Sequence, residues 1–317
     1  MIVTNSYKGL KEKFYNIVVG LGNFDGIHIG HKKLVKEVVD TAKELSGTAA
    51  IITFNPCPLA VLDPKNAPPR LLSQQYKVEE MESLGIDLMI SIPFNLDFAK
   101  LTPEEFIEEV LYNELSVRSV VVGYNYTFGY RGTGTPKTIE QFALKYGYEL
   151  KIIPPVTIDG QVVSSTVIRK MLMDGKIELA NRFLGREHFV DGVVRAGDGI
   201  GKKIGFPTAN VDLLDDILLP QNGVYVVIAE IENSSYVGVA NIGCKPTFDN
   251  GVNRACKKPS LEVHILDFQE DVYEKYIKIK FMRRIRDEKK FNSVDELVDQ
   301  IKCDVQLARR VQKVVLM

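Results

Sequence analysis

The sequence predicts a doubly wound α/β domain followed by an antiparallel β-barrel or sandwich with a terminal helix. Two observations carry this. The first half groups its apolar residues into short continuous runs separated by helical patterns, whereas the second half alternates apolar and polar residues with period two. The length, 317 residues, points to two domains at about 100–200 residues each. The change of rhythm places their boundary near 180–190, so the expected domains are 1–183 and 184–317.

In chain order, Ile17–Leu21, Ala49–Phe54, Leu88–Ile92 and Val120–Val122 read as strands buried on both faces, as in a parallel sheet. Between the first two, Leu34, Val35, Val38, Val39, Ala42 and Leu45 share one helical face. Thr102, Pro103 and Glu105 form a capping box with proline at the first helical position. Beyond the boundary, Asn222–Ile231, Tyr236–Ile242, Leu261–Phe268 and Tyr276–Phe281 are strand candidates. In the third, Leu261, Val263 and Ile265 point one way and Glu262 and His264 the other. Ser293 with Glu296 predicts the start of a last helix. Its buried stripe is Val294, Leu297, Val298, Ile301, Val305, Ala308 and Val311.

Composition narrows the function classes. The 40 basic and 41 acidic side chains nearly cancel, 20 against 21 in residues 1–183 and 20 against 20 in the rest. Neither half is a basic nucleic-acid platform. Lys280–Lys290, with six basic and two acidic residues, reads as a solvated strand end beside a phosphate site. No apolar run reaches the roughly 18 residues of a membrane span. The start, MIVTNSYKGLKEKFYN, does not read as a secretory leader. Cys57, Cys244, Cys256 and Cys303 show neither CxxC pairing nor zinc-ligand spacing, which predicts reduced thiols in the cytoplasm.

The most informative stretch is Gly20–His31, GLGNFDGIHIGH. A buried strand enters a glycine turn at Gly22 and Gly26 and then a helix. His28 and His31, three apart, project together at its start. Helix-end amides and the positive dipole end favour a phosphate there, and two imidazoles add donors. GNFDGIHIGH closely resembles the signature of the nucleotidylyltransferase superfamily, in its FAD synthetase branch. Val163–Arg169, VSSTVIR, resembles the segment this superfamily places opposite HxGH to hold a triphosphate. Gly123–Gly129, GYNYTFG, is similar to the family's loop at the flavin side. The resemblance implies a Rossmann-like domain that transfers adenylyl from ATP to FMN, releasing pyrophosphate, with Mg²⁺ bridging phosphates. It implies His28 and His31 as catalytic residues. Gly22, Asn23, Phe24, Asp25, Ser164, Ser165, Thr166 and Arg169 would bind ATP, and Asn125 and Phe128 flavin. The family reads F-x-P-H-P after its second buried strand. This chain reads FNPCP, with Cys57 at the histidine position, a weak donor that cannot carry imidazolium charge.

In the second half, Gly192–Asn210, GVVRAGDGIGKKIGFPTAN, sets glycines around two lysines. Such a stretch is either a hairpin turn or an anion nest. GFPTAN resembles the PTAN motif of riboflavin kinases. The pattern continues through NGVYVV at 222–227, GVANIGCKPTF at 238–248 and LEVHILDF at 261–268. Together the motifs resemble the bifunctional riboflavin kinase/FMN adenylyltransferases over nearly the whole chain. The resemblance implies a C-terminal kinase barrel with Glu262 as general base for the riboflavin hydroxyl. Thr208 and Asn210 would hold Mg²⁺, and Gly197, Gly199, Gly201, Lys203 and Asn210 the ATP phosphates. Riboflavin, FMN and FAD are the expected substrates and products. The expected partners are small molecules, not nucleic acid or membrane, with room left for a homo-oligomer. Two alternatives stay open: a kinase whose adenylyltransferase half is impaired, and a flavin- or nucleotide-binding regulator.

Overall fold

The computed structural model describes residues 1–197, 200–232, 234–243, 248–249, 252–253 and 259–315. It contains two compact units, Met1–Ser165 and Thr166–Met317.

The first unit runs β1 (Ile2–Thr4), β2 (Val18–Leu21), α1 (Ile29–Glu44), β3 (Ala49–Phe54), α2 (Pro58–Leu62), α3 (Gln74–Ser83), β4 (Leu88–Ile92), α4 (Pro103–Glu105), β5 (Ser119–Gly123), α5 (Pro136–Tyr146), β6 (Glu149–Ile153) and the short pair β7 (Thr157–Ile158) and β8 (Gln161–Val162). Six strands form one parallel sheet in the order β1-β4-β3-β2-β5-β6. The continuous apolar runs are explained by cover on both faces. Leu34, Val35, Val38, Val39 and Ala42 of α1 are buried on one side. On the other, Val19, Leu21, Ile52, Ile90 and Val122 join Phe106, Ile107, Val110 and Leu111 in one core. Gly20 makes the close approach of α1 possible: a Cβ there would lie 2.7 Å from Ile51 Cδ1 and 2.9 Å from Leu34 and Val38.

The Thr102 capping box is present, Thr102 Oγ1 accepting from the Glu105 amide at 3.1 Å and the Glu105 carboxylate from the Thr102 amide at 2.7 Å. After one turn the coil widens into a π-helical stretch, Phe106–Glu114, which the apolar spacing does not signal. The strand order reverses at β2, which lies between β3 and β5. In open parallel sheets ligands bind in the crevice beyond the carboxyl ends at such a switch point.

The second unit takes up α6 (Ser165–Met173) after its first residue and continues α7 (Ile177–Leu184), β9 (His188–Arg195), α8 (Ile200–Lys203), β10 (Ala209–Leu213), β11 (Gly223–Ile231), β12 (Ser234–Gly243), the pair β13 (Phe248–Asp249) and β14 (Val252–Asn253), β15 (Ser260–Ile265), β16 (Tyr276–Arg286) and α9 (Val294–Val315). Six strands close an antiparallel barrel, β10-β15-β12-β11-β16-β9. Of the barrel and sandwich left open by the period-two pattern, the barrel forms. The packing division after Ser165 and the composition-based boundary at 183/184 differ by α6 and α7. Here α7 docks on the barrel: Asn181 Nδ2 donates to the Phe281 carbonyl, and its Oδ1 accepts from the His188 amide, both at 2.8 Å.

Helix α9 covers part of the barrel's outside. Val224, Val226, Val237, Val239 and Leu266 pack there with Ala308, Val305 and Val311. This explains why β11 is buried almost throughout rather than alternating. Of the expected stripe, Ala308 is buried, Leu297, Val298, Ile301, Val305 and Val311 are half-buried and Val294 is exposed. A charge sits on the covered face instead. Asp304, 3% exposed, accepts from Arg286 Nε at 3.1 Å and Nη2 at 2.8 Å. Removing one partner of such a pair strands the other, whereas replacing both by apolar groups is close to neutral. Asp304→Ala is therefore expected to lower stability by about 3 kcal/mol. The double variant Asp304→Leu/Arg286→Met should recover most of it. Urea unfolding followed by far-UV circular dichroism measures both, the chain having no tryptophan. An unchanged midpoint in the single variant refutes the assignment.

Candidate active sites

In the first unit the turn after β2 occupies the switch point. Its backbone is tightly wound: Phe24, Gly26 and Ile27 take φ values of 50°, 81° and 41°, in the left-handed region. Burial holds this conformation. The Phe24 ring is inaccessible, set against Gly22 and edge-on to His31 at 5.3 Å between centroids. Thus Phe24 supports the turn from beneath, and its ring offers no surface to a ligand. The Asp25 carboxylate accepts from the Leu71 amide at 3.0 Å, and the Asp25 carbonyl accepts from Ser165 Oγ at 2.9 Å. One segment expected to face HxGH is thereby tied to the turn. Thr166 and Arg169 follow on α6, in the second unit.

His28 is the N-cap of α1, its Nδ1 accepting from the His31 amide at 3.2 Å. That bond leaves the ring proton on Nε2. The His28 and His31 rings stack, with centroids 3.6 Å apart and planes 13° from parallel. Burial, the main cause, pushes the His28 pKa down to about 4. Burial also holds His31 well below the usual imidazole range, helped by the charges of His28 and Lys77. Both rings are therefore neutral at pH 7. His31 Nδ1 is sealed from solvent and has no partner among the described residues, although the residue as a whole is half-buried.

Across the crevice, β5 ends at Gly123. Asn125 is exposed in the loop that follows, whereas Phe128 is buried against Phe106 and Tyr126. Phe54, Phe94 and Phe98 extend this row of rings. Their scatter over three segments hid the row from any motif. Cys57 caps α2, half-buried and with no side-chain capping bond. Lys77 also escaped the sequence: it is a buried lysine on α3 whose Nζ donates to the Asn23 carbonyl at 2.8 Å.

In the second unit the strand register assembles the other constellation. Glu262 on β15 stands opposite Asn210 of β10 on one side and Asn241 of β12 on the other. Leu261, Val263 and Ile265 are buried and Glu262 and His264 half-buried, the alternation expected of this strand. Side chains so opposed lie about 5 Å apart at Cβ. Asn241 was missed because pairing register, not spacing, brings it to Glu262. His264 Nδ1 lies 2.8 Å from the Pro207 carbonyl, and its ring meets Phe206 edge-on, bracing the turn before Thr208.

The glycine stretch is neither a simple hairpin nor an extended nest. Ile200–Lys203 forms a single helical turn. Gly197 packs against the Asn210 amide, where a Cβ would collide. A Cβ on Gly201 would lie 3.2 Å from Thr208 Oγ1. Gly197, Gly201, Thr208 and Asn210 are thus neighbours, and Lys203 is exposed. Gly199, Cys244 and Cys256 lie outside the described residues. Among the described residues no group of three or more His, Cys, Asp or Glu side chains could hold a metal, and no helix is long and apolar enough to cross a membrane.

The family model for FAD synthetase matches residues 10–167, and that for riboflavin kinase residues 184–312. The bifunctional riboflavin kinase/FMN adenylyltransferase of Bacillus subtilis (strain 168) is 39% identical over 310 residues, 97% of this chain and 96% of its own length. The protein so named in Escherichia coli (strain K12) is 34% identical, covering 92% of this chain and 91% of its own. A crystal structure described as a macrolide-efflux protein from Streptococcus pneumoniae is 32% identical and covers 97% of this chain and 98% of that one, with a TM-score of 0.86. With one family model matching each half and relatives similar over nearly all of both chains, this chain belongs to the bifunctional riboflavin kinase/FMN adenylyltransferase family.

Proposed function

We propose that the protein phosphorylates riboflavin to FMN at the barrel and adenylylates FMN to FAD at the parallel-sheet domain, using ATP in both reactions. What carries the reading is that each family match falls on a unit with its own polar constellation. By function, the domains are assigned as 1–183 and 184–317. The partners are small molecules, and the place of work is the cytoplasm, where ATP is supplied.

In the first unit an FMN phosphate oxygen attacks the α-phosphorus of ATP. The new P–O bond forms as the bond to the leaving pyrophosphate breaks. The attacking phosphate is already anionic, so positioning and charge stabilisation suffice. Free amides at the start of α1, together with His28 Nε2–H, donate to the phosphate oxygens, and His31 stacks on His28 to hold it. Gly22, Asn23, Phe24 and Asp25 contribute backbone and turn shape to the ATP site. Ser164, Ser165, Thr166 and Arg169 hold the triphosphate, and Asn125 and Phe128 frame the flavin side. An adenylyltransferase half without turnover is disfavoured by this intact turn, despite Cys57. FAD formed from FMN and ATP by the purified protein decides the matter.

In the barrel Glu262 takes the proton of the riboflavin 5′-hydroxyl as that oxygen attacks the γ-phosphorus and ADP leaves. Thr208, just before β10, and Asn210, opposite Glu262, are hard oxygen donors. They fit Mg²⁺, which takes a few protein oxygens and completes its shell with phosphates. When bound, the ion neutralises developing phosphate charge. Gly197, Gly201 and Lys203 are assigned to the ATP phosphates, as is Gly199, which lies outside the described residues. A regulator without turnover would have no use for a carboxylate in this place.

Three outcomes are expected. Alanine at His28 lowers kcat for FAD formation by about 10²- to 10³-fold, the cost of one donor to the developing charge, and leaves FMN formation intact. Glu262→Gln does the reverse, with a loss of about 10²- to 10⁴-fold in FMN formation. Coupled assays with riboflavin or FMN as substrate separate the two.

The third concerns pH. His28 and His188 have pKa values pushed down to about 4 by burial, and His31 is also lowered. Below the unfolded value of about 6.5 the unfolded chain gains protons that the folded chain refuses. Stability is thus full above pH 6.5 and falls as pH drops, by up to about 1.4 kcal/mol per pH unit for each histidine. Two of the three lie in the first unit, so its urea midpoint should fall more steeply between pH 6.5 and 5. A flat midpoint there contradicts the neutral stack.

A further inference from the structure

The buried ammonium of Lys77 has no part in the chemistry assigned above. It lies on α3 and is 7% exposed. A methionine, one heavy atom shorter, would fill most of this space without the cost of burying a charge. Lys77 Nζ donates to the Asn23 carbonyl at 2.8 Å, and Thr53 Oγ1 donates to the same oxygen at 3.2 Å. Asp25 and Cys57 lie close enough to favour the ammonium form, while burial and Arg70 oppose it. Two donors therefore converge on one peptide oxygen at the start of the left-handed turn.

Peptide planarity gives this contact a consequence. In a trans peptide the C=O and the following N–H point in opposite directions. With the Asn23 carbonyl drawn onto Lys77, the Phe24 N–H points to the opposite side of the peptide, away from the ammonium. That N–H makes no hydrogen bond to the described residues. Phe24 has φ 50°, a conformation that a phenylalanine holds only when its surroundings impose it. The same charge also lowers the proton affinity of His31.

Building on the adenylyltransferase reading above, we propose that Lys77 is a positioning residue for adenylyl transfer: its ammonium fixes the Asn23–Phe24 peptide so that the Phe24 N–H is presented to a phosphate oxygen of ATP. Lys77 acts through the backbone and needs no contact with the nucleotide. A neutral side chain of similar length lets the peptide rotate, and the lost amide weakens the hold on ATP. Arginine keeps a cation and a donor at the carbonyl.

The test compares the full-length wild type with Lys77→Met and Lys77→Arg. For Lys77→Met, KM for ATP in FAD formation should rise at least tenfold with a smaller change in kcat, while FMN formation from riboflavin stays at the wild-type rate. Lys77→Arg should recover at least half of the lost kcat/KM. A second measurement needs no variant. In wild-type protein labelled with ¹⁵N-phenylalanine, the Phe24 amide resonance should shift as ATP is added. The inference is overturned if Lys77→Met leaves KM for ATP within threefold of wild type, or if ATP binds and the Phe24 amide does not move. Wild-type protein that binds ATP but forms no FAD would instead overturn the adenylyltransferase reading.

Discussion

The first unit is built around two imidazoles that stack face to face at 3.6 Å and are kept neutral by burial. Burial removes the water that would stabilise a proton on either ring. His28 caps α1 through the nitrogen that must stay unprotonated, so one hydrogen bond sets both tautomer and helix start. Phe24 closes the space beneath His31. The parallel sheet allows this because its faces are covered, and only the strand ends remain free to meet a ligand. Gly20 belongs to the same arrangement, since any side chain there would lift α1, and the histidine cap with it, from the sheet.

The barrel solves a different problem by different means. A closed antiparallel sheet fixes which residues lie opposite one another. Asn210, Glu262 and Asn241 become neighbours although they are distant in sequence. Alternation sends Leu261, Val263 and Ile265 inward and leaves the polar row outside. Helix α9 covers another part of the outside and is held by the Asp304–Arg286 pair. The chemistry is thus kept apart from the apolar seam. In the proposed function, a nucleophile that must lose a proton would be served by a carboxylate on a rigid strand, and one that is already anionic by amides and neutral rings at a helix start.

Much of this was legible in the residues. Ala49–Phe54 and Leu88–Ile92 match their strands end to end, because a strand buried on both faces is apolar along most of its length. The Thr102 capping box was readable because its hydrogen bonds span three residues. The glycine turn and its histidine pair were readable for the same reason. The π-helical stretch after α4 was not, since it depends on how Phe106 and Val110 meet the sheet. Val294 fits the apolar period of α9 yet hangs free, and Asp304 breaks that period yet is buried. Periodicity records which face a helix presents but not how far the barrel beneath it extends.

By itself the sequence determined the two architectures, the order of their elements and the two motifs around which the sites form. These are encoded by short-range spacing, which the backbone's fixed periods translate directly into geometry. Tertiary structure alone decided that Phe24 lies under the turn, that Lys77 reaches Asn23 across 54 positions and that Asn241 joins Glu262. The physical reason is burial. Whether a charge keeps its proton and whether an amide faces the core depend on neighbours that only the folded chain brings within reach.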